Sequence, residues 1–249
     1  MVPPSPAASR DVAGPAASKR RPPIDRSRYR RVRRFALRVV LHALFWDVLM
    51  ARPGLRRLRR PAIQRWRRIA RSYRDLAVEM GGVLIKLGQF LSSRVDVLPP
   101  EITDELAALQ DEVPPHPRPA VVAQIEADFG RPLDELFSFF ADEPMGAASL
   151  AQVHEARTVD GDQVVVKALR PGIEVLVETD LAAFAQATRW LQLWRGLRQR
   201  VDVAWLEREF RTVTRSELDL EAEGRSAERF ARDFADDPDV LVPGILWPY

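Results

Sequence analysis

Two neighbouring segments of the chain carry residue types that suit phosphate chemistry. Residues 144–154 read P-M-G-A-A-S-L-A-Q-V-H, and Lys167 follows in the string V-V-V-K-A. A loop of Gly, Ala and Ser lets backbone N–H groups approach phosphate oxygens, because no bulky side chain stands in the way. A lysine on the adjacent strand would supply a cation for the same phosphates. The pattern predicts a nucleotide cradle and is typical of a kinase amino-terminal lobe, with alanines where protein kinases usually carry glycines.

Two charged motifs lie elsewhere in the chain at helical spacing. Lys86 opens the string K-L-G-Q inside the apolar stretch V-L-I-K-L-G-Q-F, and Glu217 opens the string E-L-D-L-E-A-E. A lysine in so apolar a stretch either extends to water or finds an acidic partner. Asp219 and Glu223 are four residues apart and share a helix face, while Glu217 points elsewhere. One carboxylate could therefore meet the strand lysine and another a different cation, although a solvated lysine and a solvated acidic face are the alternatives.

Hydrophobic periodicity predicts the elements that position these motifs. An amphipathic helix of about eight turns should run from Ile63 to Leu91, weakened at Gly81-Gly82. Four strands are predicted, and an Asp160-Gly161 turn should join the second to the third. The predicted strands are 137–140, 150–157 and 163–169; the other predicted helices are 101–110, 120–129, 174–194 and one from an Asp202 cap to about Phe234; a further strand is predicted at 240–247.

Composition divides the chain into two parts with opposite charge. Residues 1–74 hold 21 Lys/Arg against 3 Asp/Glu, and residues 75–249 hold 17 against 32. Opposite balances of +18 and −15 indicate different partners for the two parts. The absence of cysteine excludes disulfides and thiolate chemistry, and three scattered histidines indicate no metal site in this chain.

The basic amino-terminal part has several interpretations. Residues 1–23 are rich in Pro, Ala and Ser, which predicts disorder, and residues 24–60 form a basic, apolar segment expected to lie near a membrane. The apolar run 35–51 is too short and too charged to span a bilayer. It could lie on an anionic membrane surface or pack on the rest of the protein, and both alternatives stay open. An export signal and a nucleic-acid surface are disfavoured, since no clean cleavage site or aromatic interleaving accompanies the arginines.

Taken in chain order, the motifs resemble the UbiB/AarF/ADCK family of atypical protein-kinase-like proteins over about residues 62–247. They are K-L-G-Q, the D-V-L-P-P block after it, the Ala-rich loop, V-V-V-K and E-L-D-L-E-A-E. The implied fold is α+β: a kinase-like amino-terminal lobe with a small antiparallel sheet at 136–249, preceded by family-specific extension helices at 61–135. Gly146 stands where an alanine is usual in this family, and Leu220 replaces a common tyrosine.

The resemblance also implies residue roles. Gly146, Ala147, Ala148 and Ser149 would cover the phosphates, Lys167 would bind the nucleotide, and Glu223 would be the partner of that lysine. Lys86 and Gln89 would belong to an extension that gates the cleft. Glu217 and Asp219 would be the acids that meet this extension.

The implied function is an ATP- and Mg²⁺-dependent ATPase or phosphotransferase, cytoplasmic and peripherally membrane-associated. The resemblance implies a link to ubiquinone and isoprenoid lipid biosynthesis, partners among quinone-biosynthesis proteins, and a small or lipid substrate rather than a protein. No catalytic-loop motif follows Lys167, and the string Asp128-Phe129-Gly130 precedes the Ala-rich loop, where it indicates a helix end. We therefore expect this chain to lack the carboxy-terminal lobe and its metal ligands, and to be inactive alone. The alternative is a non-catalytic membrane-associated scaffold or lipid-binding pseudokinase module.

Overall fold

The computed structural model describes residues 22–52, 61–96, 98–110, 114–193 and 202–249. The predictions for residues 1–21 and 53–60 lie outside these ranges, as do Val97 and the predicted helix end at Trp194. Within them the chain is α+β, with eight α-helices and one four-stranded antiparallel sheet, as the sequence predicts. The helices are α1 (Arg26–Ala43), α2 (Ala62–Met80), α3 (Val83–Ser92), α4 (Pro100–Ala107), α5 (Arg118–Phe129), α6 (Ile173–Gln192), α7 (Val203–Ser216) and α8 (Leu220–Asp233), and the strands are β1 (Phe137–Phe140), β2 (Gly146–Ala147), β3 (Ala151–Thr158) and β4 (Gln163–Leu169).

Strand β3 is the centre of the sheet. Strand β4 pairs with it from Ala151↔Leu169 to Arg157↔Gln163, while β2 and β1 follow each other along its other edge. The predicted turn at Asp160-Gly161 joins β3 to β4, and Gly161 adopts a φ of 100° there. Alternate residues of β3 and β4 face helix α5 and form a core, which leaves the opposite face of the sheet open. The members of that core are Val121, Ile125, Leu136, Phe137, Phe140, Ala156 and Ala168.

The predicted eight-turn helix is two helices. Helix α2 ends at Met80 and α3 begins at Val83, because Gly81 and Gly82 both take positive φ, at 64° and 65°. Glycine is the residue that adopts this conformation without steric cost. A Cβ on Gly82 would also lie 2.5 Å from the Leu176 side chain, so the break lets α3 approach α6 closely.

Two predictions at the carboxy-terminal side were wrong. The helix expected from Asp202 to about Phe234 breaks at residues 217–219 into α7 and α8; Asp202 caps the first, as predicted, and Asp219 caps the second. The strand expected at 240–247 is not formed, and this segment lies against α8 instead. There Trp247 donates from Nε1 to Glu228 at 2.6 Å.

Helix α1 packs on α6. Arg28 donates to both carboxylate oxygens of Asp180, at 2.7 and 2.6 Å, and Val32 and Ala43 are buried in the contact. The outer face of the same helix remains exposed, with Leu41 at 55%. The inner face of α1 thus packs on the rest of the protein, as one of the two alternatives predicts, while membrane binding by the outer face stays a prediction. No helix in the described part of the chain is long and apolar enough to cross a membrane.

Candidate active site

Three adjacent strands bring the predicted lysine and the predicted loop into one row. Gly146 of β2 is directly opposite Val153 of β3, and Val153 is directly opposite Lys167 of β4. Residues directly opposite each other project to the same face of a sheet, and adjacent strands lie about 4.8 Å apart. The lysine and the loop therefore share the open face, about 10 Å apart by two such spacings.

Lys167 is paired with Glu223 across this face. Its ammonium lies 2.6 Å from both oxygens of the carboxylate, and the two side chains are 41% and 52% exposed. Helix α8 supplies the glutamate, and its start is fixed by Asp219, whose side chain accepts from the Ala222 N–H at 2.8 Å. An ion pair this exposed contributes little stability, so its geometry matters more for orienting the lysine than for folding.

The Ala-rich loop turns tightly after β2. The Ala148 N–H donates to the Ala151 carbonyl at 2.8 Å, and Leu150 is buried between α3 and α6. Within the described residues, the N–H groups of Ser149 and Leu150 donate to no acceptor. Unpaired N–H groups in a turn of small residues can donate to an anion, but Ser149 and Leu150 are both buried here.

The K-x-G-Q helix approaches the same region from the extension. Lys86, 15% exposed, forms an ion pair with Glu217 at the end of α7. Gly88 lies so close to Leu109 that an added Cβ would sit 2.2 Å from its Cδ1 atom. Gln89 donates to the Leu109 carbonyl at 3.2 Å, so its amide fixes the turn after α4.

The structure thus separates the predicted acids. Glu217 meets Lys86 and Glu223 meets Lys167, whereas Asp219 serves as a helix cap and does not reach Lys86. The loop residues share one face of the sheet with Lys167 and its partner Glu223. Lys86 of the extension helix pairs with Glu217 at a separate contact. The side-chain amide of Gln89 donates its described hydrogen bond to the Leu109 carbonyl and not to a group near either lysine.

Sequence reasoning gave no role to Arg170, which holds the loop, or to Gln152, which holds the segment beside it. Arg170, immediately after β4, donates from Nε to the Ala148 carbonyl at 2.9 Å, and Gln152 of β3 accepts the His116 N–H at 2.8 Å. Gln152 belongs to the quoted loop motif and to the predicted strand 150–157, so a polar side chain between two apolar neighbours in that strand could have marked it. Arg170 carries no signal of its own in the sequence.

The residues present fit the phosphates of ATP. The exposed Lys167 ammonium is a suitable donor for phosphate oxygens. The N–H groups of Ser149 and Leu150 are unpaired within the described residues, but both residues are buried, so Lys167 is the accessible donor. For Mg²⁺ the donor set does not fit: the described residues contain no group of three or more His, Asp or Glu placed to hold a metal ion. No magnesium ligand is therefore assigned to them.

A small antiparallel sheet, a small-residue loop and a strand lysine paired to a helix glutamate define a protein-kinase-like amino-terminal lobe. A family profile described as the ABC1 atypical kinase-like domain matches residues 108–249. The chain belongs to this family of atypical kinase-like proteins, which includes relatives named UbiB, as its motifs predict.

Two curated relatives and one solved structure illustrate the similarity. A probable protein kinase UbiB of Pseudomonas fluorescens is 40% identical over 174 residues, covering 69% of this chain and 32% of that protein. The Synechocystis protein sll0095 is 39% identical over 210 residues, covering 83% and 36%. A Mycobacterium tuberculosis protein, Rv3197, solved with erythromycin, is 29% identical with a TM-score of 0.46, covering 69% and 43%. The chain spans about a third of the length of the curated relatives it matches.

Proposed function

We propose that this chain is the nucleotide-binding lobe of an atypical kinase-like ATPase or phosphotransferase that acts in ubiquinone or isoprenoid lipid metabolism at a membrane. One observation carries the proposal: Lys167 lies on the open face of the sheet, paired with Glu223 and in register with Gly146. Relatives at 36–40% identity that are named probable protein kinase UbiB support the same class.

Each residue of the cradle has a task that follows from its chemistry. Glu223 orients the Lys167 ammonium, which neutralises phosphate charge where that charge is greatest. Gly146, Ala147 and Ala148 have no bulky side chain and leave room for phosphate oxygens to approach the loop backbone. When bound, ATP would supply the phosphoryl group. Lys86, held by Glu217, keeps the extension helix against the lobe and controls access to the cleft.

Thermal unfolding with nucleotide tests the proposal directly. Since a ligand that binds only the folded state stabilises it, MgATP at a hundredfold excess over its Kd should raise the melting temperature by roughly 5–10 °C. Lys167→Ala should abolish this shift. Arg131→Ala is a matched control, because Arg131 makes a surface ion pair of similar exposure with Glu135, far from the loop.

The two results that would count against the proposal are distinct. A folded wild-type chain with no shift in MgATP would mean that the lobe is not a nucleotide site. A shift retained in full by Lys167→Ala would mean that nucleotide binds elsewhere. The lipid link has its own measurement: loss of the encoding gene should lower the ubiquinone content of the cells, quantified by mass spectrometry.

A second candidate function, a membrane-associated lipid-binding module, is favoured by the outer face of α1. The first half of this face is basic, and the second half, which continues into a π-helical segment at Leu44–Leu49, is apolar and exposed. Beside it a cavity of about 160 Å³ opens between the ends of α1 and α6. A basic segment next to exposed apolar residues suits an anionic lipid surface. The basic members are Arg26, Arg30, Arg33 and Arg34, and the apolar members are Leu37, Leu41, Leu44, Phe45 and Val48.

Vesicle flotation distinguishes this candidate from a merely packed helix. The chain should float with anionic vesicles and not with zwitterionic ones, and Leu41→Ser with Phe45→Ser should abolish flotation. Val159→Ser is the control, since Val159 is equally exposed, at 50%, but lies near the β3–β4 turn. Equal flotation of the double variant, or preference for duplex DNA over vesicles, would count against the lipid surface.

A further inference from the structure

The Pro-rich linker at residues 114–117 precedes helix α5, which packs on the sheet, and it passes directly beside the phosphate loop. The side chains of Arg170 and Gln152 hold it. Arg170 donates from Nη2 to the Pro114 carbonyl at 2.8 Å, and the Gln152 amide oxygen accepts the His116 N–H at 2.8 Å. The linker is therefore attached to the lobe at the loop itself.

Arg170 holds both sides of this junction with one guanidinium. While Nη2 reaches Pro114, Nε donates to the Ala148 carbonyl at 2.9 Å, and the Arg170 backbone N–H donates to the Leu150 carbonyl at 2.9 Å. The guanidinium is planar and its donors have fixed relative directions, so the two carbonyls are held in one geometry. Burial lowers the pKa of the Arg170 guanidinium, which nevertheless stays protonated at neutral pH.

A buried network fixes Gln152 in place. Its Nε2 group donates to His154 Nε2 at 2.7 Å, and His154 Nδ1 donates to the Ala141 carbonyl at 3.0 Å. His154 is fully buried and stacks on Phe140 with ring centroids 4.7 Å apart. Because both ends of this chain of hydrogen bonds are anchored, the Gln152 oxygen is already directed at the linker.

We propose that Arg170 is a positioning residue that couples the linker to the phosphate loop. The inference rests on the proposed nucleotide function. Since one side chain holds Ala148 and Pro114 together, displacement of the linker removes a hydrogen bond from the loop, and loosening of the loop releases the linker. Binding of phosphate at the loop and docking of the linker then stabilise each other by the same factor, as linkage requires.

Amide hydrogen exchange and nucleotide affinity, measured on the whole chain, test this coupling. The informative amides are His116 in the linker and Ala148 in the loop, since each makes one defined hydrogen bond. Arg170→Ala should speed exchange of both amides together and weaken MgATP binding roughly tenfold, the scale of one lost charge-assisted hydrogen bond. Adenosine, which has no phosphate, should bind as it does to the wild type.

Two further variants complete the design. Arg170→Lys keeps the charge but not the fork that spans two carbonyls, so it should show the same pattern, and it decides the question if Arg170→Ala does not fold. Arg157→Ala removes an exposed arginine from the neighbouring strand β3 and should change neither exchange nor affinity.

The outcomes separate the coupling from the function on which it rests. Unchanged exchange in Arg170→Ala, or faster exchange of only one of the two amides, overturns the coupling whatever the affinity. Equal weakening of ATP and adenosine overturns the loop-positioning role, because general damage to the lobe would produce it. A wild-type chain that binds neither ATP nor adenosine overturns the proposed function, and exchange then still decides whether Arg170 couples the linker to the loop.

Discussion

Gly88 of the K-x-G-Q motif provides a quantitative test of how the extension packs. In Gly88→Ala the new Cβ would lie 2.2 Å from Leu109 Cδ1, more than 1 Å inside van der Waals contact, and Leu109 is completely buried. Overpacking of a core costs about 1–3 kcal/mol, and so deep an overlap against an enclosed side chain belongs at about 3 kcal/mol. Alanine regains about 1 kcal/mol of helix propensity over glycine. We therefore expect a net loss of about 2 kcal/mol in the free energy of unfolding.

Urea denaturation measures this loss, and a second glycine serves as control. Gly146→Ala introduces a Cβ with nothing within 4 Å, so its stability should be that of the wild type within about 0.5 kcal/mol. Leu109→Ala should relieve the clash, so that the double variant with Gly88→Ala is more stable than the sum of the single effects predicts. A Gly88→Ala chain as stable as the wild type, with strictly additive effects in the double variant, would refute the argument.

Three further predictions concern charged groups. Glu217→Gln should leave the Lys86 amine more accessible, because it removes the ion pair that holds a side chain only 15% exposed. Acetylation of Lys86, followed by mass spectrometry, should then be faster than in the wild type. An unchanged rate would mean that the ion pair does not shield the amine. Burial raises the pKa of Asp180 above its ordinary 3.8 despite the hydrogen bonds from Arg28. The folded state then keeps this proton to a higher pH than the unfolded state does. The free energy of unfolding of the wild type, relative to that of Asp180→Asn, should therefore fall as pH rises from 3.8 through the raised pKa. A difference in denaturation midpoints that does not change with pH would contradict this. Asp219→Ala should cost about 1 kcal/mol through the lost cap of α8, with Asp219→Asn close to wild type, and equal losses in both variants would show that capping is not the role of Asp219.

The sheet was predictable because its signals are local. Alternating apolar residues bounded by Asp160-Gly161 define β3 and β4, and the register of that hairpin places Lys167 opposite Val153. The spacing of the acids likewise indicated that Glu217 and Glu223 serve different cations, as the two ion pairs now show.

The helix breaks were harder to predict, because apolar periodicity continues through them. Leu218 and Leu220 maintain the pattern across the end of α7, so Asp219 looked like one more acid on a helix face rather than a cap. The apolar run at 240–247 resembles a strand, yet its residues pack on α8, where Trp247 lies 3.0 Å from the Cβ position of Gly224. The contacts of Arg170 join residues 22 and 56 positions apart, and no local pattern reports such distances.

The break at residues 217–219 places the partners of Lys86 and Lys167 on two different helices. Glu217 belongs to the end of α7, which is anchored in the core by Phe210, while Glu223 belongs to α8, which begins beyond the break. A small change in the backbone dihedral angles of residues 217–219 would move Glu223 away from Lys167 and leave the contact between Lys86 and Glu217 in place. Release of Lys167 from Glu223 would therefore not require Lys86 to leave Glu217.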